Sequence, residues 1–194
     1  MSSIDLSFTS AKSPKAGKIL ISDPFLDEDY FRRSVTLLCN HDDEGSFGLV
    51  LNNYVDIDLH QLETTFPDIK ARISIGGPVD TQNLFFIHTF SDLKDSLEIR
   101  DGLFFGGRYD YLLEEIKKDP IIGATKARFF LGYSGWSQDQ LNSEIKENSW
   151  IVADNVSNAE IMRTTDDDLW KSFLSKQGKR FKTISNFPIN PNDN

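Results

Sequence analysis

The sequence predicts an α+β fold built on a largely antiparallel sheet. Short apolar runs crowd the earlier part of the chain and segments with helical spacing gather toward its end, so strands and helices do not alternate as in a regular α/β protein. Neighbouring apolar runs are also joined by polar, glycine-containing turns of hairpin length.

Strands are expected, in order, over Lys18–Ser22, Ser34–Cys39, Phe47–Asn52, Arg72–Ile75, Leu84–Thr89, Leu97–Arg100, Leu103–Phe105, Ala127–Tyr133 and Trp150–Ala153, several of them continuously apolar. The polar loop from Asn40 to Ser46 suits a hairpin between the second and third, and Asp101-Gly102 is a two-residue turn signal. Helices announce themselves through their caps. Asp58–Phe66 ends before Pro67. Tyr109, Leu112, Leu113 and Ile116 fall at i, i+3, i+4 and i+7, with Asp119-Pro120 as the stop. Ser157 and Glu160 form a capping box. Asp166–Gln177 places Leu169, Trp170, Phe173 and Leu174 on one side and ends at Gly178. Ser137 and Gln140 read as a second capping box, with Trp136 and Leu141 at the positions of a hydrophobic staple.

The chain has 194 residues, enough for one domain, because about 150 residues already bury most of their surface in a single core. That domain is expected over 17–185, between tails at 1–16 and 186–194, the second docked through Phe187 and Ile189. With 39% hydrophobic residues and 15 Phe, 5 Tyr and 3 Trp, the composition excludes a disordered chain and predicts an aromatic core. A lone cysteine, Cys39, forms no internal disulfide, the first residues lack the apolar stretch of a signal peptide, and no run approaches a membrane span; a cytoplasmic protein is expected. The net charge of −9 opposes the counterion-release term, so no non-specific DNA binding is expected. Lys171, Lys176, Lys179, Arg180 and Lys182 follow Asp166, Asp167 and Asp168, and the two groups read as the oppositely charged ends of one helix.

No reaction is written in a local motif. One Cys with His41, His60 and His88 scattered along the chain does not make a metal site, and no metal or cofactor is expected. Gly132-Tyr-Ser134-Gly135 has Trp136 where a nucleophile elbow needs Gly, so Ser134 reads as a turn serine, with a Ser134 nucleophile served by a distant His88 base as the alternative. Gly76-Gly77-Pro78 and Gly106-Gly107-Arg108 match no phosphate loop; the second reads as a tight strand-to-helix turn, with an anion held by free amides and Arg108 as the functional alternative. Cys39 lies two residues from His41, a pairing that lowers a thiol pKa if the two meet, against the ordinary role of a small core residue.

Four segments together resemble the YqgE/AlgH family of bacterial proteins: Gly17-Lys-Ile-Leu-Ile-Ser-Asp-Pro24 with Phe31-Arg-Arg33-Ser34-Val35; His41 and Gly45 with Gly48-Leu-Val-Leu-Asn52; Gly76-Gly77-Pro78-Val79 with His88; and Gly132-Tyr133-Ser134-Gly135-Trp136 with Gln140-Leu141. The resemblance implies a cytosolic α+β protein whose sheet folds into an irregular pseudo-barrel with helices packed outside. It implies no defined reaction, and one branch is named as a regulator of alginate gene expression. Asn53-Tyr54 stands where Arg or Lys followed by Pro is usual, and Asp139 where Gly is frequent.

These readings favour a binding or regulatory module over an enzyme. Its expected site is a small polar cleft formed by Arg33, Ser34, Asn52, Gly76, Gly77, Pro78 and His88, taking a small anionic ligand or a protein partner, in a monomer or small homo-oligomer. The enzymatic alternative uses the same groups, with His88 as base and Arg33 as anion clamp; no catalytic residue is assigned.

Overall fold

The computed structural model describes residues 12–26, 28–67, 69, 71–165 and 168–187. Asp27, Asp166, Asp167 and Ile189 lie outside the described residues. The strands are β1 (Ile19–Ser22), β2 (Val35–Asp42), β3 (Gly45–Val50), β4 (Tyr54–Val55), β5 (Ile73–Ile75), β6 (Val79–His88), β7 (Leu97–Arg100), β8 (Leu103–Phe105), β9 (Ala127–Ser137) and β10 (Trp150–Ala153). The helices are α1 (Leu59–Leu62), α2 (Tyr109–Lys118), α3 (Pro120–Lys126), α4 (Gln140–Lys146), α5 (Asn158–Met162), α6 (Leu169–Ser175) and α7 (Lys179–Ile184).

The strands form one ten-stranded sheet in the order β10-β1-β2-β3-β9-β6-β8-β7, with β4 and β5 attached at the side. Every pairing along that path is antiparallel, whereas β5 runs parallel to β9. β9 is the spine: its first half pairs with β5 and β6, and its second half pairs with β3. The sheet curls, because Phe47 of β3 meets Phe105 of β8 with ring centroids 5.1 Å apart although β9 and β6 lie between them. It does not close, and β10 and β7 remain its two ends.

The continuously apolar strands are explained by burial on both faces. Ile19, Ile21, Val35, Leu37, Ile151 and Ala153 pack with Leu169, Trp170, Phe173 and Leu174 of α6. The alternate residues Leu20, Leu38, Trp150 and Val152 pack with Trp136 and with Leu141 and Ile145 of α4. A third cluster joins Ile73, Phe86 and Phe129 to Leu59, Phe66 and the apolar stripe Leu112 and Ile116 of α2. Period-2 alternation breaks once where it matters. Phe130 shares a cluster with Tyr133, three residues on, while Phe129 and Leu131 face the other way. Gly132, at φ +67°, supplies the left-handed step that resets the parity.

Several local expectations change. Asp119-Pro120 ends α2 and also starts α3: Oδ1 of Asp119 accepts from the amides of Ile121 and Ile122 at 3.1 and 3.0 Å, and Pro120 fills the first turn, where its missing N–H costs nothing. The helix expected over Asp58–Phe66 is the single turn α1, and β4 and α7 went unanticipated. Ser157 and Glu160 do form a capping box. Ser137 does not cap α4, because β9 runs through it and the N-cap is Asp139 at φ +60°. Gln140 Oε1 still accepts from the Ser137 amide at 3.0 Å, but the Ser137 hydroxyl donates to that same oxygen instead of accepting from the helix. Asp139 thus adopts a left-handed backbone, the conformation that glycine enters most readily.

Candidate functional site

The structure does not gather the seven expected residues into one cleft. Arg33, just before β2, adopts φ +49° and lays its guanidinium 4.7 Å from the ring centre of Trp170, while Nη2 donates to the Phe187 carbonyl at 2.5 Å. Burial lowers its pKa, and the nearby Asp168 carboxylate partly opposes that shift. Asn52 clips the loop after β3 to the start of β2: Oδ1 accepts from the Val35 amide at 2.8 Å and Nδ2 donates to the Arg33 carbonyl at 2.9 Å. The Ser34 amide donates to Ser22 Oγ at 2.8 Å. Gly76 and Gly77 lie against β9, where a Cβ on either would fall 2.3 Å from backbone atoms of Gly132 or Tyr133. Pro78 is exposed, immediately before β6. His88 closes the other end of β6, fully buried.

His88 and Arg33 are thus ties within the fold. The Phe90 amide donates to His88 Nδ1 at 3.2 Å, which assigns the proton to Nε2, and Nε2 donates to the Gly106 carbonyl at 3.0 Å. The ring stacks on Phe104, and burial holds its pKa below the ordinary 6.5. The other motif residues resolve the same way. Ser134 is buried and its hydroxyl donates to the Gly76 carbonyl at 2.9 Å. Arg108 pairs with Asp110 at 2.6 Å beside two glycines at positive φ. His41 Nδ1 bonds Ser46 Oγ at 2.7 Å, and burial pushes the Cys39 thiol pKa well up, opposite to the shift a reactive thiol needs. Among the described residues no three His, Cys, Asp or Glu side chains are placed to share a metal ion, and no helix is long and apolar enough to cross a membrane.

The curl of the sheet creates a different site. A groove of about 660 Å³ lies over β3, β9, β6 and β8. Its floor is one half-buried aromatic residue from each strand: Phe47, Tyr133, Phe85 and Phe105. The rings form a closed circuit, with Phe47–Phe105 at 5.1 Å, Phe105–Phe85 at 6.2 Å, Phe85–Tyr133 at 5.6 Å and Tyr133–Phe47 at 6.2 Å between centroids. Such edge-to-face and offset contacts hold each ring in place by its neighbours. Trp136 forms a wall and is itself pinned, its Nε1 donating to Glu144 Oε2 at 2.9 Å, an oxygen that also accepts from Trp150 Nε1 at 2.8 Å.

One rim is acidic. Asp42 and Glu44, at the tip of the β2–β3 hairpin, line it together with Asn40 and Ser46, and no Lys, Arg or His does. The Asn40 side chain donates to Asp42 Oδ2 at 2.7 Å and the Glu44 amide to Oδ1 at 2.9 Å, bonds that hold this carboxyl below its usual pKa and keep it charged. The site offers apolar contact area, the electron-rich faces of the rings and fixed negative charge. It was invisible in the sequence because its four rings come from four strands with no common spacing. The one local signal is Gly132 beside Tyr133 in an aromatic strand, a position where a bulge re-aims the next side chain.

The AlgH-like family (DUF179) matches residues 19–182. A UPF0301 protein of Bacteroides thetaiotaomicron is 41% identical over 186 residues, covering 93% of this chain and 92% of the relative. A UPF0301 protein of Cytophaga hutchinsonii is 37% identical, covering 90% and 96%. Among solved structures, protein DIP2367 of Corynebacterium diphtheriae superposes with a TM-score of 0.76 at 22% identity, covering 91% of this chain and 94% of that one. The AlgH protein of Pseudomonas aeruginosa gives 0.69 at 24% identity, covering 91% and 97%. Those two share the fold; the sequence match over most of the chain goes further, and the chain belongs to the AlgH-like family.

Proposed function

We propose that this protein is a cytoplasmic binding module, regulatory rather than catalytic, that captures its ligand or partner on the aromatic groove. One observation carries the reading: four rings drawn from four strands leave ring surface open in a single groove, where a purely structural cluster would be sealed. Regulation of gene expression, the role the family resemblance suggests, then runs through the bound ligand or partner, since a charge of −9 opposes a direct grip on the DNA backbone. An enzyme built on His88 gains no support, because both ring nitrogens are engaged. The test is a library of small molecules and short peptides screened by NMR with the aromatic side chains labelled. Hits should perturb Phe47, Phe85, Phe105 and Tyr133 first. Hits confined to other surfaces, such as the hollow between Phe90 and Lys126, refute it.

A further inference from the structure

We propose that the occupant of the groove is an extended peptide segment of a partner protein, carrying an arginine or lysine against Asp42 and Glu44 and an apolar side chain across the ring floor. The proposal rests on the groove being the binding site and adds what it selects. Three observations point to it. The first is charge complementarity: two carboxylates line the rim with no Lys, Arg or His among the lining residues, and Asp43 and Asp80 adjoin lining residues.

The second is chemical. Ring faces carry negative potential, and a guanidinium is planar and weakly hydrated, so it can stack on a ring while its fork of donors meets a carboxylate. This chain makes that contact for itself at Arg33 over Trp170, Arg72 over Tyr54 and Arg108 over Tyr111, with 4.7, 3.7 and 4.9 Å to the ring centres. On the groove's own rings no such cation sits: the cation–ring contacts among the described residues fall on Trp170, Tyr54, Tyr111, Phe90, Phe130 and Phe173.

The third is size. The groove holds about 660 Å³, within the ~300–1,000 Å³ of sites that take ligands much larger than one guanidinium. A lone amine or guanidinium leaves most of the ring floor uncovered. The lining acids, Asp42 and Glu44, stand at the tip of the β2–β3 hairpin, so the charged residue belongs there and the apolar one over Phe85 and Phe105.

The probe is a blocked peptide, acetyl-Arg-Gly-Arg-Gly-Leu-amide, titrated into the full chain by calorimetry and by NMR. The comparisons are the same peptide with glutamate for arginine, and L-argininamide alone. The expected result is binding of the arginine peptide with shifts on the four rings, no matching binding of the glutamate peptide, and affinity weakened roughly fivefold by Asp42→Asn with Glu44→Gln, the loss of two exposed charge pairs. Raising the salt should weaken the wild-type complex as well, a readout independent of whether the double variant folds. Equal binding of the glutamate peptide, or no effect of the double variant and of salt, overturns the charge selection and leaves the groove reading standing. Binding of L-argininamide as tight as the peptide overturns the peptide in favour of a small cation. No ring shift with the arginine peptide overturns the inference; the groove reading falls with it only if the broader library also leaves the rings unperturbed.

Discussion

Arg128 offers the sharpest test of how the fold is held together. It sits on β9, 1% exposed, with no carboxylate partner among the described residues. Nη1 donates to the carbonyls of Ile161 and Arg163, Nη2 donates to the carbonyl of Leu51, and the Tyr54 hydroxyl lies 3.3 Å from Nη2. One guanidinium thus ties the end of α5 and the segment between β3 and β4 to the spine of the sheet. Its burial lowers the pKa to about 10, which shows that the site resists the charge even as it uses the donors. Replacement by methionine keeps much of the apolar stem and removes both the charge and the bonds. Leu51 O keeps a bond from Ser74 Oγ, so the main cost is two carbonyls at the end of α5, about 1–3 kcal/mol each when left unpaired in the interior. Relief of the desolvated charge offsets part of this. The net expectation for Arg128→Met is a loss of about 2–3 kcal/mol, read as a lower urea midpoint at unchanged slope. Arg128→Lys should be no better, because an ammonium is more strongly hydrated and cannot fork to three carbonyls lying in different directions. An unchanged midpoint for the methionine variant would show that the donors are worth no more than the charge costs, and would refute the reasoning.

Three further outcomes follow from the geometry. His88 is neutral in the native state with its pKa below 6.5, so the unfolded chain takes up a proton first; stability is complete above about pH 6.5 and falls as the pH drops below it. His88→Gln should flatten that acid-side slope in denaturation curves taken from pH 7.5 to pH 5, and an unaltered slope removes His88 as its cause. Cys39 should resist a maleimide in the native protein and react only on unfolding, since it is 1% exposed and burial raises its pKa; rapid native labelling would contradict this. Gly132→Ala should cost about 2–4 kcal/mol, combining a left-handed alanine with a Cβ placed 2.7 Å from Val79 O and 2.8 Å from Gly77 O. A loss under about 1 kcal/mol by chemical denaturation would mean that the bulge relaxes without resistance.

What the sequence disclosed depended on the range of the cause. Helices α2 and α5 were legible because apolar spacing and caps are local. The strands other than β4 were legible because apolar runs bounded by turns leave few alternatives. Their order was not, since nothing near Ala127–Ser137 reveals that this one strand pairs with β3, β5 and β6. The expected cleft failed for a related reason. Arg33 and His88 look available in the sequence, but His88 is buried and Arg33 half-buried, and each finds a partner where the fold brings it, the Gly106 and Phe187 carbonyls. Tyr54 has a structural task, its ring lying under Arg72 at 3.7 Å and its hydroxyl meeting Arg128.

The motif residues that line no groove still decide its shape. In a regular strand Phe130, Gly132 and Ser134 would share a face, and Tyr133 would turn away from the aromatic floor. The floor exists because β9 takes an extra step at Gly132, and β6 answers with its own irregularity between Val79 and Leu84, where six residues span what three cover on β9. That step is held from behind: Gly77 packs so close to Tyr133 and Ser134 that a Cβ would lie 2.3–2.4 Å from their atoms, and Ser134 Oγ donates to the Gly76 carbonyl at 2.9 Å. The Gly76-Gly77-Pro78 turn and the Gly132-to-Trp136 segment, the two stretches that look most functional in the sequence, are therefore the two halves of one backbone crossing whose far side presents Tyr133 to the groove. A substitution at Gly77 should reach the ring floor through that crossing without touching anything bound there, so its effect on binding should track its effect on stability, while Asp42→Asn should change binding alone.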